Sequence, residues 1–286
     1  RRPRGGRRLS PRPRRALIIG ASGFLGSRLL ARGPRAVELV GTGCNRPVRP
    51  GGWRDVRLDV TSPSAIRAVF ESERPEAVFY CSYDRAQRAV TVDGAYETAV
   101  ASARMGARFV FISTDLVFDG KAGKYTEAAP AVPLVYYGEM KLEAEVSVWS
   151  TVPEAVILRP SLMVGEFGDR LRPEYEDALR RGLAIHSYVD EWRSPVLVDD
   201  VAHAAWELAC RDVGGVFHVG GPQRLSRYEL ATQLCAIFGL DQALLRHAKR
   251  PEDRPRDTSL VSGRLVRLLG WSPRPIEAAM RPSLVA

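Results

Sequence analysis

The 286-residue sequence predicts an α/β fold, a doubly wound parallel sheet with a smaller C-terminal lobe. Three observations carry that expectation. An apolar run, Ala16-Leu-Ile-Ile-Gly20, feeds directly into Gly20-Ala-Ser-Gly23-Phe-Leu-Gly26 and then a helical pattern. From there to Val164, short apolar runs alternate with helical periodicity, as β-α-β units do. Beyond Val164 the alternation loosens, as a lobe of different construction would show.

Taken in order, the first run reads as a buried parallel strand. In the turn after it, Gly20 permits a tight bend and Gly23 lets backbone approach a pyrophosphate. Gly26 allows close helix–strand packing, and the helix N-terminus offers N–H donors and the positive end of its dipole. A glycine turn of purely structural purpose is the alternative. The second strand, Val37–Gly41, leads into Thr42-Gly-Cys-Asn-Arg46. A cofactor without a 2′-phosphate is usually gripped by an acid at this strand's end. None stands here, so Arg46 either meets a 2′-phosphate or is a solvated loop arginine. NADP(H) is therefore preferred to NAD(H).

The third strand is expected to close at Leu58–Thr61, with Asp59 placed to bond an adenine amino group. A helix follows from about Ser62, capped by Ser62 or Thr61, with Pro63 at its first position. Glu76–Cys81 is the fourth strand, which sets Ser82 and Tyr83 along the carboxyl edge of the sheet, where such folds bind ligands. A helix over about 92–105 leads to a fifth strand, Phe109–Thr114. After the loop Asp115–Pro133 come the helix holding Tyr137 and Lys141 and a sixth strand, Ala155–Leu158, ending at Arg159-Pro160.

In the lobe, a helix is expected at about 172–182. A strand from Val196 runs into a helix capped by Asp199 or Asp200, and Gly215–Gly221 is another strand. Ser226 and Glu229 form a capping box, and helices near 226–238 and 260–269 wall a substrate cleft. The expected domains are a basic tail (1–15), a dinucleotide-binding domain (16–164, with 196–213 returning to it) and a substrate-binding lobe (165–195 and 214–286).

The net charge of +9 suggests nucleic acid until it is located. Eight arginines and no acid lie in residues 1–15, which leaves the rest of the chain at +1. The folded body is nearly neutral, so specific nucleic-acid binding is not expected. The Pro/Gly/Arg stretch reads as a disordered extension, with an organellar transit remnant or a polyanion-binding arm as alternatives. No apolar run approaches a membrane span. Cys44, Cys81, Cys210 and Cys235 have no paired spacing, which favours a reducing compartment, the cytoplasm. The four histidines lack ligand spacing too, so no metal is expected.

Tyr137 and Lys141 are four residues apart and share one helix face. An ammonium one turn from a phenol favours the tyrosinate, which lets the tyrosine exchange a proton with a carbonyl undergoing reduction near neutral pH. The Thr114 hydroxyl could bind the same oxygen. Tyr136, with no lysine four residues on, reads as packing.

The set Gly20-x-x-Gly23-x-x-Gly26, Ser113-Thr114-Asp115-x-Val117-Phe118-Asp119-Gly120 and Tyr137-Gly-x-x-Lys141 resembles the extended short-chain dehydrogenase/reductases. More narrowly, it resembles their dTDP-4-dehydrorhamnose reductase (RmlD-like) branch. Pro133-x-x-x-Tyr137-Gly138, Phe217-His218-Val219-Gly220-Gly221-Pro222, Leu225-Ser226-x-Tyr228-Glu229 and Arg254-Pro255 extend the resemblance over nearly everything from Ala16 onward.

It implies a Rossmann fold and an NADPH-dependent reductase of a nucleotide-linked 4-keto-6-deoxy sugar, with Tyr137 as acid, Lys141 as its activator and ribose anchor, and Thr114 as carbonyl binder. The implied cofactor contacts are Gly20, Ser22, Gly23, Phe24, Leu25, Gly26, Arg46, Asp59, Val60, Cys81, Ser82, Tyr83, Lys141 and Arg159. Asp115, Trp192, Arg193 and Arg254 are the substrate candidates. Arg254 either binds a phosphate or pairs with Asp253 or Asp257, and His218 reads as structural. The same branch includes the methionine adenosyltransferase regulatory beta subunits, so a non-catalytic NADP-binding subunit with a partner enzyme is the alternative; a homodimer is a further possibility. Two departures bear on that choice. Val90-Thr91 stands where the family has Val-Asn, and the segment Cys81–Thr91 is shorter than the family's.

Overall fold

Residues 13–165 and 177–279 are described by the computed structural model. The chain divides into two compact units. One comprises the chain through Ile112 with Glu143–Leu158 and Ala202–Val216; the other comprises Ser113–Leu142, Arg159–Val201 and the chain from Phe217.

The first unit carries β1 (Arg15–Ile19), α1 (Phe24–Ala31), β2 (Glu38–Gly43), β3 (Arg54–Arg57), α2 (Pro63–Glu73) and β4 (Ala77–Tyr80). A π turn (Ala89–Asp93) then runs into α3 (Gly94–Met105), followed by β5 (Arg108–Ile112). Later strands β6 (Val156–Pro160) and β11 (Gly215–Val219) complete a seven-stranded sheet of order β11-β6-β5-β4-β1-β2-β3. β1 pairs in parallel with β2 and β4, β2 with β3, β4 with β5, and β5 with β6. The strand order therefore reverses at β1 and β4, where doubly wound sheets bind their ligands.

The central strands are uninterrupted apolar runs because both their faces are buried. Leu17, Ile19, Val78, Tyr80, Phe109 and Phe111 pack with Ile66, Phe70, Ala95, Ala99, Val148 and Ile157. α2 starts as its local signal dictates. The Ser62 hydroxyl accepts from the Ala65 N–H, and Pro63 occupies the first position.

Two boundaries differ from the sequence expectation. β3 is the charged segment Arg54-Asp-Val-Arg57 at the sheet edge and ends at Arg57, short of the expected close at Leu58–Thr61. Leu58 and Val60 are buried but lie beyond the ladder, and a charged edge strand resists unwanted pairing. The expected tail also loses Arg14 and Arg15 to the fold. Arg15 opens β1 and bonds Glu38 through Nε (2.8 Å) and Nη2 (2.6 Å), while Arg14 bonds Glu76.

The short segment after β4 closes on itself. The Thr91 hydroxyl, fully buried, donates to the Asp84 carbonyl (2.6 Å) and accepts from the Asp84 N–H (2.9 Å). Asp84's carboxylate accepts from the Ala86 and Gln87 N–H groups, which holds it below its ordinary value. The Tyr80 hydroxyl donates to the Val90 carbonyl (2.6 Å) inside the π turn, and burial pushes that phenol far up.

The second unit begins with a 3₁₀ turn, Asp115–Val117, and the first turns of α4 (Tyr136–Thr151). It continues through β7 (Met163–Val164), β8 (Ile185–Tyr188), β9 (Trp192–Arg193), β10 (Val196–Leu197) and the start of α5 (Val198–Ala209). After β11 come β12 (Leu225–Ser226), α6 (Arg227–Phe238), β13 (Leu245–Ala248), α7 (Gly263–Leu269) and α8 (Ile276–Ala279). Short ladders join β10 to β7, β12 to β9 and β13 to β8.

Ser226 and Glu229 form the expected capping box. Asp199 and Asp200 are not caps: α5 already begins at Val198, and Asp200 instead accepts from the Arg274 backbone N–H and guanidinium. Of the helix expected at 172–182, residues 172–176 lie outside the described residues, and 177–180 are helical. Among the described residues no helix is long and apolar enough to cross a membrane.

Candidate active site

In the first unit, the glycine turn is built from close backbone approaches. Gly20 has φ +83°, and a Cβ there would stand 2.8 Å from the Ser82 hydroxyl oxygen and 2.9 Å from the Ser82 nitrogen. A Cβ on Gly26 would overlap the Gly20 carbonyl oxygen. The Gly23 N–H donates to that same oxygen (3.0 Å). α1 has no side-chain cap and no acid in its first turn, so the N–H groups of Phe24, Leu25 and Gly26 meet no carboxylate there. That is a cradle suited to a phosphate, and the residues present fit a dinucleotide.

β2 ends without an acid, and a Cβ on Gly43 would overlap the Arg46 carbonyl oxygen, so the chain turns tightly before an exposed Arg46. Asp59 is partly committed. Its Oδ1 accepts from the Thr61 N–H (2.9 Å) and hydroxyl (2.7 Å), and these bonds hold its carboxyl below the ordinary range. Val60 is buried, Ser22, Cys81 and Ser82 are half-buried, and Tyr83 is exposed.

In the second unit, Thr114 is extended and caps the 3₁₀ turn, its oxygen accepting from the Leu116 N–H (3.3 Å). Tyr137 lies in the first turn of α4, and Lys141, one turn on, is only 2% exposed. Gly138 joins the two elements. A Cβ on it would overlap the Leu116 carbonyl oxygen, so the absent side chain lets the Tyr137 turn close on the Thr114 turn. Sequence reasoning had Gly138 only as a motif letter.

Asp115 and Arg193, both substrate candidates, are bonded to each other (3.3 Å) and buried. Arg193 also reaches Glu191 (3.1 Å) and Thr258. Glu191 holds Arg254 through both oxygens, at 2.7 and 2.9 Å. Burial pushes Glu191 up, but the Arg254 hydrogen bond and the charges of Arg193, Arg254 and Arg227 outweigh it, and its carboxyl lies below the ordinary value. Arg254's partner is therefore neither Asp253 nor Asp257, and Asp257 binds Arg224 instead (2.7 Å).

Trp192, half-buried, has the guanidinium carbons of Arg224 at 4.6 Å and Arg256 at 5.3 Å from its ring centroid. Arg256 has no carboxylate partner among the described residues. Its sequence signal is its place two residues after Arg254, across Pro255. Arg159 is buried with its guanidinium 5.3 Å from the Phe118 centroid. His218 is structural in its contacts: Nδ1 faces the Tyr125 carbonyl (3.1 Å), and burial together with the Arg159 charge brings its value down to about 3. Among the described residues no group of His, Cys, Asp or Glu is placed to hold a metal ion.

Comparison with known proteins adds four findings. The profile of the RmlD substrate binding domain matches residues 14–285. The beta subunit of methionine adenosyltransferase 2 from Bos taurus is 28% identical over 95% of this chain and 87% of its own length. The spore coat polysaccharide biosynthesis protein SpsK of Bacillus subtilis is 27% identical over 94% of this chain and 96% of its own. Among solved structures, dTDP-4-dehydrorhamnose reductase from Bacillus anthracis, in complex with NADP, superposes with a TM-score of 0.80 at 23% identity. That match covers 94% of this chain and 97% of the other, and establishes the shared fold.

Proposed function

The chain belongs to the RmlD substrate binding domain family, and we propose that it is an NADPH-dependent reductase of a nucleotide-linked 4-keto-6-deoxy sugar. The observation that carries this reading is the Thr114, Tyr137 and Lys141 set, with Gly138 closing one turn upon the other. NADPH, when bound, supplies the hydride. The first-turn N–H groups of α1 hold its pyrophosphate, Gly20 and Gly23 allow the approach, and Arg46 answers a 2′-phosphate. Tyr137 donates its proton to the carbonyl oxygen as that oxygen gains charge, Lys141 stabilises the tyrosinate left behind, and Thr114 holds the same oxygen by a hydrogen bond. With Arg254 committed to Glu191, Arg256 beside Trp192 is the better partner for a substrate phosphate, because its planar fork has no carboxylate to satisfy it.

A second reading is a non-catalytic NADP-binding subunit that serves a partner enzyme. It is favoured by one specific observation: the Thr91 hydroxyl is committed as both donor and acceptor to Asp84, so it has no proton to relay.

NADPH consumption with a dTDP-4-keto-6-deoxyhexose separates the two. The reductase reading expects turnover that Tyr137→Phe removes while NADPH still binds. Tight NADPH binding without turnover favours the subunit, and a pull-down would then seek the partner. Normal turnover by Tyr137→Phe would show the catalytic assignment to be wrong.

A further inference from the structure

We propose that Arg193 is a positioning residue: it holds the Asp115 carboxylate so that the Thr114 hydroxyl is oriented but remains available to a carbonyl oxygen. The inference rests on the reading of Thr114 as the carbonyl binder.

The bonds divide by oxygen. Asp115 Oδ2 accepts from the Ser161 hydroxyl (2.9 Å) and lies 3.3 Å from Arg193 Nη1. Oδ1 is left facing the Thr114 hydroxyl at 3.4 Å. A hydroxyl bonded well to a carboxylate sits at about 2.5–2.7 Å, so this contact aims the O–H without retaining it. A threonine hydroxyl has one proton and two lone pairs. Here the Leu116 N–H occupies one lone pair, the proton is loosely held, and a ligand oxygen can claim it.

What prevents a closer grip is the cation on the far side. Arg193 is 5% exposed, and its partners Asp115, Glu191 and Thr258 all lie in the same buried cluster. It therefore serves as a fixed counter-charge and not as a surface that meets ligand. Arg193 is fixed in turn by Glu191, itself 1% exposed and clamped by Arg254. The charged groups along this chain of contacts are Asp115, Arg193, Glu191 and Arg254. Without Arg193, Asp115 would be a buried carboxylate short of donors, and the Thr114 hydroxyl is the donor already beside it.

Arg193→Met, Arg193→Lys and the double variant Arg193→Met/Asp115→Asn, each in the full chain, test this. Arg193→Met is expected to lower kcat/KM for the keto sugar by about tenfold or more, with the loss mainly in kcat, and to leave the NADPH dissociation constant unchanged. Its kcat/KM–pH profile should gain an ionisation absent from the parent, and Arg193→Lys should recover most of the loss. The double variant, with no unpaired buried charge, should fold, lack the added ionisation and still show lowered kcat/KM, because nothing orients the hydroxyl. Parent-level kcat/KM in the double variant overturns the inference, whether or not Arg193→Met folds. An Arg193→Met protein with equal losses of NADPH and substrate affinity also overturns it, since that marks a merely structural role. A parent that consumes no NADPH overturns the reductase reading itself, and this inference with it. A parent that turns over while the Arg193 variants match it overturns the inference alone.

Discussion

The Gly20–Gly26 turn and the cluster around Thr114 differ in what holds them in place. In the turn, backbone meets backbone where side chains are missing, and the groups at the start of α1 that lack a side-chain cap are main-chain N–H groups. Around Thr114 the placement comes from buried charge: Asp115, Arg193, Glu191 and Arg254 bond in series, and Gly138 supplies a single close approach. The first arrangement is intolerant of added volume and indifferent to pH. The second is sensitive to charge. Binding a dinucleotide asks only for fixed dipoles, whereas moving a proton asks for groups whose charge state is managed.

The largest effect expected from this contrast is a pH dependence that belongs to the second unit. His218 has a folded value of about 3 against an ordinary 6.5. As pH falls below about 6.5 the unfolded chain takes up a proton that the folded chain refuses. Stability should then fall by about 1.4 kcal/mol per pH unit from this group, until about pH 3. Urea unfolding at a series of pH values should show that slope, and His218→Gln should flatten it. An unchanged slope would remove His218 as its source.

Next in size is Gly26→Ala. Its new methyl group meets backbone on α1's packing side, an overlap that costs on the order of 1–3 kcal/mol. NADPH affinity, read by fluorescence titration, should drop about tenfold or more. Unchanged affinity would mean that the turn is not volume-limited.

Thr91→Val tests the closed segment after β4. It leaves the Asp84 N–H and carbonyl without their partner, at a cost of about 1–3 kcal/mol. Calorimetry should show Tm lowered by several degrees, whereas a neutral result would mean that the clamp is not stabilising. The smallest effect is expected at the N-terminus. Removing residues 1–12 should change neither Tm nor NADPH affinity. Removing residues 1–15 should lower Tm slightly, because Arg14 and Arg15 pair with Glu76 and Glu38 at the surface.

The parts of the chain that were legible in sequence are those whose signals are local. The glycine spacing, the Ser62-Pro63 helix start, the Ser226/Glu229 box and the apolar runs of β1, β4 and β5 each complete themselves within a few residues. The close of β3 was set too far on because an exposed edge strand carries charge where a periodicity argument seeks apolar residues. Asp199 and Asp200 carried the capping residue type, but their helix starts one residue earlier and Asp200 answers Arg274.

In the candidate site, Thr114, Tyr137 and Lys141 were readable as types at a spacing. The supports were not, because they join distant segments: Asp115 to Arg193, Glu191 to Arg254, Gly138 to Leu116. Ion pairing between remote segments follows the packing of the chain and has no periodicity to betray it.

The most direct measurement is made on Gly138→Ala, with NADPH binding and keto-sugar turnover read on one preparation. Its Cβ would collide with the Leu116 carbonyl oxygen and force the Tyr137 turn away from the Thr114 turn. NADPH affinity should match the parent while kcat falls by about a hundredfold, the lower range of what a positioned acid contributes. Parent-level kcat with the collision in place would contradict the claim that the carbonyl site is assembled across Gly138.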